Sequence, residues 1–213
     1  MLGSMAGRRA KASARPDAAT AAIAAADPAF AAFIDRAGRF EPRPGEGDPF
    51  TSLARAIVFQ QLAGRAASAI YGRFVAAIGG TVTADAILGI APEQLRAAGL
   101  SGNKTLSLID LATKVREGTV PLDGIEALAD DEIVTRLTTV RGIGPWTAEM
   151  FLLFELGRPD VWPVDDLGIR NAVKRFYGLE PTKDNMQQVA EPWRPWRSVA
   201  SWYLWRSLSL PPV

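Results

Sequence analysis

The sequence predicts an all-helical protein, for three reasons. No segment alternates apolar and polar residues in the way that a half-buried strand requires. Apolar residues instead recur at the three- and four-residue spacing of helices, as in Phe30, Phe33, Ile34 and Ala37. Most of these segments begin or end at Gly, Pro or Asp. With 213 residues, 48% of them hydrophobic, the chain is long enough for one domain or for two small lobes with a substantial core.

The N-terminal part contains two pairs of predicted helices. Asp27 caps a helix with Pro28 in its first turn, and a preceding Ala-rich helix starts near Asp17. After a Pro/Gly linker at 42–49, the apolar pattern of 50–78 is interrupted only at 63–64, which predicts two helices that meet at a bend. Further helices are predicted at about 83–89, 92–98, 102–117, 130–138, 145–156, 166–177 and 195–208.

The composition excludes several kinds of chemistry. The chain has no Cys, so thiolate nucleophiles, disulfides and iron–sulfur clusters are ruled out, and it has no His, so any catalysis depends on carboxylates, Lys, Tyr, Ser or backbone groups. A net charge of +1 means that a polyanion would be bound by a local patch. No apolar stretch is long enough for a membrane helix, so we expect a cytoplasmic protein, nucleoid-associated if bacterial. Residues 1–16 look like a disordered basic arm.

A helix-hairpin-helix unit is predicted at 130–156. Asp130 or Asp131 caps its first helix, 138–144 form the turn, and Pro145 opens the second helix. Backbone N–H groups of this hairpin, at Gly142, Ile143, Gly144 and Thr147, could bind phosphate oxygens without contacting bases. The carbonyl groups of Thr138, Val140 and Gly142 could converge on Na⁺ or K⁺. On this pattern alone, an ordinary helix–helix turn and a DNA-binding hairpin are equally good interpretations.

Two adjacent carboxylates, Asp165 and Asp166, stand at a predicted helix start after Pro163. Helix starts favour acidic residues, so both could serve only as a cap and a first-turn acid. Both cannot be the cap, however. The other would be an ionised acid at a boundary between a loop and a helix, where catalytic residues are often found.

Four segments in this order resemble the helix-hairpin-helix DNA glycosylases, and most closely the 3-methyladenine DNA glycosylase II branch. They are 55–62 (Arg-Ala-Ile-Val-Phe-Gln-Gln-Leu), 142–148 (Gly-Ile-Gly-Pro-Trp-Thr-Ala), 164–169 (Val-Asp-Asp-Leu-Gly-Ile) and 193–198 (Trp-Arg-Pro-Trp-Arg-Ser). The resemblance extends from about Asp17 to Leu208. It implies two helical lobes with a DNA-binding cleft between them, one lobe formed by 17–48 with 160–213 and the other by 49–159. Larger bacterial members carry an additional N-terminal α/β domain, which we expect to be absent here.

By this resemblance, Asp166 is the catalytic aspartate. It would stabilise positive charge on the sugar as an alkylated purine leaves, and it would orient the attacking water. Family members that also cut the DNA backbone have a Lys after the hairpin proline, which forms a Schiff base; here the residue is Trp146, so we expect a monofunctional enzyme that leaves abasic sites. No cofactor is expected for catalysis.

Base flipping requires a wedge that fills the stack and a pocket that holds the extruded base. The resemblance places the wedge at Gln61 or Leu62, just after Gln60, and leaves the alignment ambiguous by one residue. It places the base pocket at Trp146, Trp205, Met150 and Phe59. An indole ring stacks well on a cationic base. Trp193 and Trp196, in contrast, are expected to pack in the core.

Lys104 lies near a predicted helix start, where a positive charge is unfavourable unless it contacts something. It could contact a phosphate or a carboxylate, or it could be a solvated lysine. Two alternatives to an alkylpurine glycosylase also stay open: a glycosylase for deaminated or etheno purines, and a DNA-binding module without catalysis. The expected partner is damaged double-stranded DNA, bound by a monomer and away from any membrane.

Overall fold

The computed structural model describes residues 16–41, 45 and 47–210, which form an all-helical protein without a strand in that part of the chain. The prediction of an all-α fold is confirmed. The basic arm predicted at 1–16 lies, except for Pro16, outside the described residues. The α-helices are α1 (Pro16–Ala26), α2 (Pro28–Ala37), α3 (Pro49–Phe59), α4 (Gly64–Ala77), α5 (Ala84–Leu88), α6 (Pro92–Ala97), α7 (Gly102–Arg116), α8 (Asp130–Leu137), α9 (Pro145–Met150), α10 (Leu167–Tyr177), α11 (Lys183–Ala190) and α12 (Arg197–Leu208).

The chain divides into two compact units. One comprises the described residues of Met1–Arg43 together with Gly157–Val213, and the other comprises those of Pro44–Leu156. We call them the terminal unit and the central unit. The domain boundaries expected at 48–49 and 159–160 stay predictions.

An aromatic cluster forms the core of the terminal unit. Phe30 of α2 is fully buried, and its ring centroid lies 5.3 Å from that of Trp193 and 6.2 Å from that of Tyr203 on α12. Trp193 is buried as expected. Asp27 caps α2 through the N–H of Phe30, as predicted, and it also accepts a 2.6 Å hydrogen bond from the hydroxyl of Tyr177 at the end of α10. This carboxylate therefore ties together two helices that are far apart in sequence.

The central unit is arranged around α7. Leu108 and Leu111 of α7 are fully buried, and the helix packs against α3, α5 and α6. The bend predicted at 63–64 is present, because α3 ends at Phe59 and α4 begins at Gly64. Apolar side chains at helical spacing thus place α7 in the middle of this unit, where it can support the segments on either side.

Several helix boundaries differ from the predictions. The helix expected at 145–156 consists of α9 and a π-helical turn, Phe151–Glu155. The last helix begins at Arg197, two residues later than expected, with Trp196 as its N-cap. Ala129, not Asp130 or Asp131, is the N-cap of α8. The polar helix α11 and short 3-10 turns at Ile125–Ala127 and Glu191–Trp193 were not predicted.

None of the helices described above has the length and apolar character needed to cross a bilayer. Within the same residues, acidic side chains nowhere gather in a group of three or more that could hold a metal ion. The cytoplasmic location and the monomeric state expected from the sequence stay predictions.

Candidate active site and DNA-binding hairpin

Asp166 is fixed at the start of α10. Its Oδ1 accepts hydrogen bonds from the backbone N–H of Ile169 and from Nε1 of Trp205, both at 2.8 Å. Asp166 is 8% exposed, whereas Asp165 is exposed to solvent. The sequence predicts different carboxylates for the cap and for the candidate catalytic acid, but in the structure Asp166 is itself the cap. The same contacts that begin the helix therefore orient the carboxylate.

Gly168 leaves the space in which Trp205 approaches Asp166. A Cβ atom at this position would lie 2.9 Å from Cδ1 of Trp205 and 3.0 Å from Oδ1 of Asp166. Such distances are shorter than van der Waals contact allows. The pairing of carboxylate and indole therefore requires glycine here, a role that was not predicted for Gly168.

Replacing Trp205 by Phe is expected to lower about tenfold the rate of the reaction that the resemblance assigns to Asp166, which is the effect of losing one hydrogen bond to a charged group. Phe keeps an aromatic ring at the half-buried position but has no N–H for Asp166. Single-turnover release of base from alkylated DNA, the substrate that the resemblance implies, measures this effect. An unchanged rate would mean that the indole contributes only its ring.

The hairpin turn lies between α8 and α9, where Gly142 has φ +77°. Gly144 is extended and is the N-cap of α9, so of these two glycines Gly142 is the one whose conformation requires glycine. The side chains of Ile143 and Thr147 are buried, which leaves their main chains as the groups that could contact phosphate. Among these, the N–H of Ile143 already donates to the carbonyl of Val140 at 3.0 Å.

The carbonyl groups proposed for a monovalent cation already take part in the turn. The oxygen of Val140 accepts from Ile143, and that of Gly142 accepts from Nε2 of Gln60 at 2.9 Å. A carbonyl oxygen has a second lone pair, so these contacts are compatible with a shared ion. A cation held by Thr138, Val140 and Gly142 stays a prediction.

Two side chains of helix α7 bind the main chain of the hairpin turn. Asp110 accepts the N–H of Arg141 at 2.7 Å and pairs with Lys114 at 2.9 Å. Nζ of Lys114 also donates to the carbonyl of Thr139. Burial raises the pKa of Asp110, but the N–H of Arg141 and the ammonium of Lys114 outweigh it and lower the pKa overall. Neither residue was predicted as part of the site. Their spacing of four positions on a helix suits an ion pair, but their other partners, at Arg141 and Thr139, are backbone groups, which have no residue signature.

This support predicts a pH dependence of the free energy of unfolding. Because the pKa of Asp110 is lower in the folded state, its stabilising effect is fully present above about pH 4, the region of an ordinary Asp pKa. The effect is lost as the pH falls through the lower pKa of the folded state. Urea unfolding of the wild type and of Asp110→Asn should therefore give midpoints that differ at pH 6 and converge in acid. A gap that persists at low pH would contradict this assignment.

The segment after α3 contains the predicted wedge. Gln61 and Leu62 are exposed, while the side chain of Gln60 is bound to the hairpin. Nζ of Lys104 donates to backbone carbonyls at the end of α3. Its partners here are therefore neither a phosphate nor a carboxylate, and it is not a solvated lysine.

The predicted base-pocket residues lie in different settings. The guanidinium of Arg55 lies 4.3 Å from the ring centroid of Phe59 and covers one face of the ring. Trp146 is 43% exposed, and Met150 is half-buried. The structure thus brings Asp166 and Trp205 together in the terminal unit. In the central unit it brings together the hairpin and Gln60.

Known proteins match the chain in both sequence and structure. The model of the HhH-GPD superfamily base excision DNA repair proteins matches residues 54–197. DNA-3-methyladenine glycosylase 1 of Schizosaccharomyces pombe is 39% identical over 168 residues, which cover 76% of this chain and 74% of that protein.

Two solved structures are similar over most of their length. The 3-methyladenine DNA glycosylase of S. pombe in complex with abasic DNA has a TM-score of 0.81 at 34% identity, covering 92% of this chain and 98% of that one. A DNA-3-methyladenine glycosidase from Bacillus halodurans has a TM-score of 0.82 at 36% identity, covering 90% and 88%. On the family match and these similarities, the chain belongs to the HhH-GPD superfamily of base excision DNA repair proteins.

Proposed function

We propose that this protein is a monofunctional DNA glycosylase that releases alkylated purines such as 3-methyladenine from double-stranded DNA and leaves abasic sites. The observation that carries this proposal is the Asp166 carboxylate, fixed by the N–H of Ile169 and the indole of Trp205. The names of the similar proteins, which are 3-methyladenine glycosylases, support the substrate class.

The fixed carboxylate suits the departure of a cationic base. Breaking the C1′–N9 bond sends the electron pair to the base, which leaves neutral, while positive charge develops on the sugar. An oriented carboxylate stabilises that charge without having to reorganise. Water then adds to C1′ and loses a proton, which Asp166 can accept. No general acid is needed for the leaving group, because an alkylated purine is already cationic.

The indole of Trp205 supports selection of such bases. Its N–H is directed to Asp166, and an electron-rich ring face next to the carboxylate would attract a positively charged purine. A neutral purine lacks that attraction and is also a poorer leaving group. We therefore expect release of 3-methyladenine and 7-methylguanine to exceed release of hypoxanthine or etheno-adenine.

The residue at position 146 supports hydrolysis without strand cleavage. A lyase that forms a Schiff base needs a primary amine, and Trp146 offers none at the position where bifunctional relatives have Lys. Treatment with borohydride should therefore trap no covalent complex between enzyme and DNA. A trapped complex would overturn the monofunctional assignment.

The test of the whole proposal is base release from methylated duplex DNA, with strand breaks counted before and after alkali. Release of methylated purines with breaks only after alkali would support it. Release only from deaminated or etheno substrates would mean that these lesions, and not alkylated purines, are the substrates. Tight binding of damaged duplex without release of any base would leave a DNA-binding module.

A further inference from the structure

The turn between α3 and α4, residues 60–63, holds an unfavourable backbone conformation. Gln61 has φ +56°, and among the described residues it is the non-glycine with a positive φ. A left-handed conformation is unfavourable for a residue with a Cβ atom, so it persists where the surroundings impose it. This is the turn that contains the predicted wedge.

Lys104 holds the main chain of this turn from α7. Its Nζ donates to the carbonyls of Val58 and Gln60, both at 2.8 Å. These carbonyls lie at the C-terminal end of α3, where helix oxygens lack intrahelical partners and where a positive charge is favourable. One ammonium group therefore binds the C-terminal end of α3 and fixes Gln60, the residue before Gln61.

The side chain of Gln60 connects the same turn to the hairpin. Its Nε2 donates to the carbonyl of Gly142 at 2.9 Å, across 82 positions of sequence. The main chain of Gln60 is thus held by Lys104 and its side chain by the hairpin. Gln61 and Leu62, the next two residues, remain exposed, and Leu62 has 36% of its surface in solvent.

We propose that Gln60 and Lys104 are positioning residues that fix the 60–63 turn on the hairpin, so that Gln61 and Leu62, and not Gln60, fill the space left by the flipped base. This inference rests on the proposed glycosylase function. The hairpin that binds phosphate and the turn that carries the wedge then form one preorganised part of the central unit. Little rearrangement is needed after the hairpin binds DNA.

The test compares two substrates that differ only in their need for a wedge. One duplex has a 7-methylguanine paired with cytosine, and the other has the same lesion in a short unpaired bubble. Lys104→Met and Gln60→Leu each remove the donor and keep an apolar side chain of similar length. We expect single-turnover release to fall about tenfold on the paired lesion, and to stay within about twofold of wild type in the bubble.

Matched controls exist in the terminal unit. Lys183→Met and Gln188→Leu change the same residue types at exposed positions of α11 and are expected to leave both rates unchanged. Thermal unfolding shows whether each variant is folded. If Lys104→Met does not fold, Gln60→Leu still tests the proposal, since it removes a single side-chain hydrogen bond.

A second readout does not depend on chemistry. The fluorescence of 2-aminopurine placed opposite an abasic analogue reports insertion into the stack, and it should change less with either variant than with wild type. Equal losses on both substrates would overturn the proposal, because they would indicate a general structural role. Unchanged rates on both would overturn it as well. Absence of release by the wild type from either duplex would overturn the proposed function, and this inference with it.

Discussion

Replacing Asp166 by Asn is expected to lower the rate of base release by about two to three orders of magnitude, the range seen when a preorganised electrostatic group is removed. Asn retains an oxygen that can accept from Ile169 and from Trp205, so the start of α10 and the position of the indole are preserved. What disappears is the negative charge that faces the developing cation. This substitution therefore separates charge from geometry at the site.

Single-turnover release from methylated duplex DNA measures the loss, and binding to an abasic duplex checks that recognition is retained. Asp165→Asn is the matched control, because that exposed neighbour is not the cap of α10. A thermal midpoint close to that of the wild type would show that the cap survives. If Asp166→Asn released base at the wild-type rate, another group would be the catalytic residue.

Replacing Gly168 by Ala is expected to lower the rate about a hundredfold, since a displacement of about 1 Å in an active site can have an effect of that size. The added methyl would stand 2.9 Å from the indole of Trp205 and 3.0 Å from the carboxylate of Asp166. Both groups must move apart to accommodate it. The loss should appear in the rate of the chemical step more than in the affinity for DNA.

Gly72→Ala is the control for this experiment. Gly72 lies inside α4, and a Cβ atom there meets nothing within 4 Å. Alanine in a helix is favoured over glycine by about 1 kcal/mol, so this variant should be active and slightly more stable. If Gly168→Ala were as active as Gly72→Ala, the close approach of Trp205 would have no part in catalysis.

The fold was largely predictable because its determinants are local. The spacing of apolar residues gave most helices, and Asp27 before Pro28 correctly gave the start of α2. The polar helix α11 was missed because few of its residues contribute to an apolar stripe. The π-helical turn Phe151–Glu155 was also missed, since side-chain patterns do not show which backbone oxygen an N–H group selects.

The candidate site was predictable as a set of residue types and not as a set of contacts. Asp166 was identified, but its hydrogen bond to Trp205 joins positions 39 residues apart, and no spacing rule connects them. Lys104 was noticed as an unusual charge, yet its partners are the carbonyls of Val58 and Gln60. Every residue has a carbonyl group, so a sequence gives no indication of which ones a lysine will meet.

The terminal unit is built from both ends of the chain, which affects how the protein is made. The described residues of 44–156 form a compact unit that is continuous in the sequence, whereas Phe30 must wait for Tyr203. At ordinary translation rates that delay is on the order of ten seconds. During it, the aromatic face of α2 is uncovered and open to chaperones or to aggregation. The yield of folded protein should therefore depend on the speed of translation more than its final stability does.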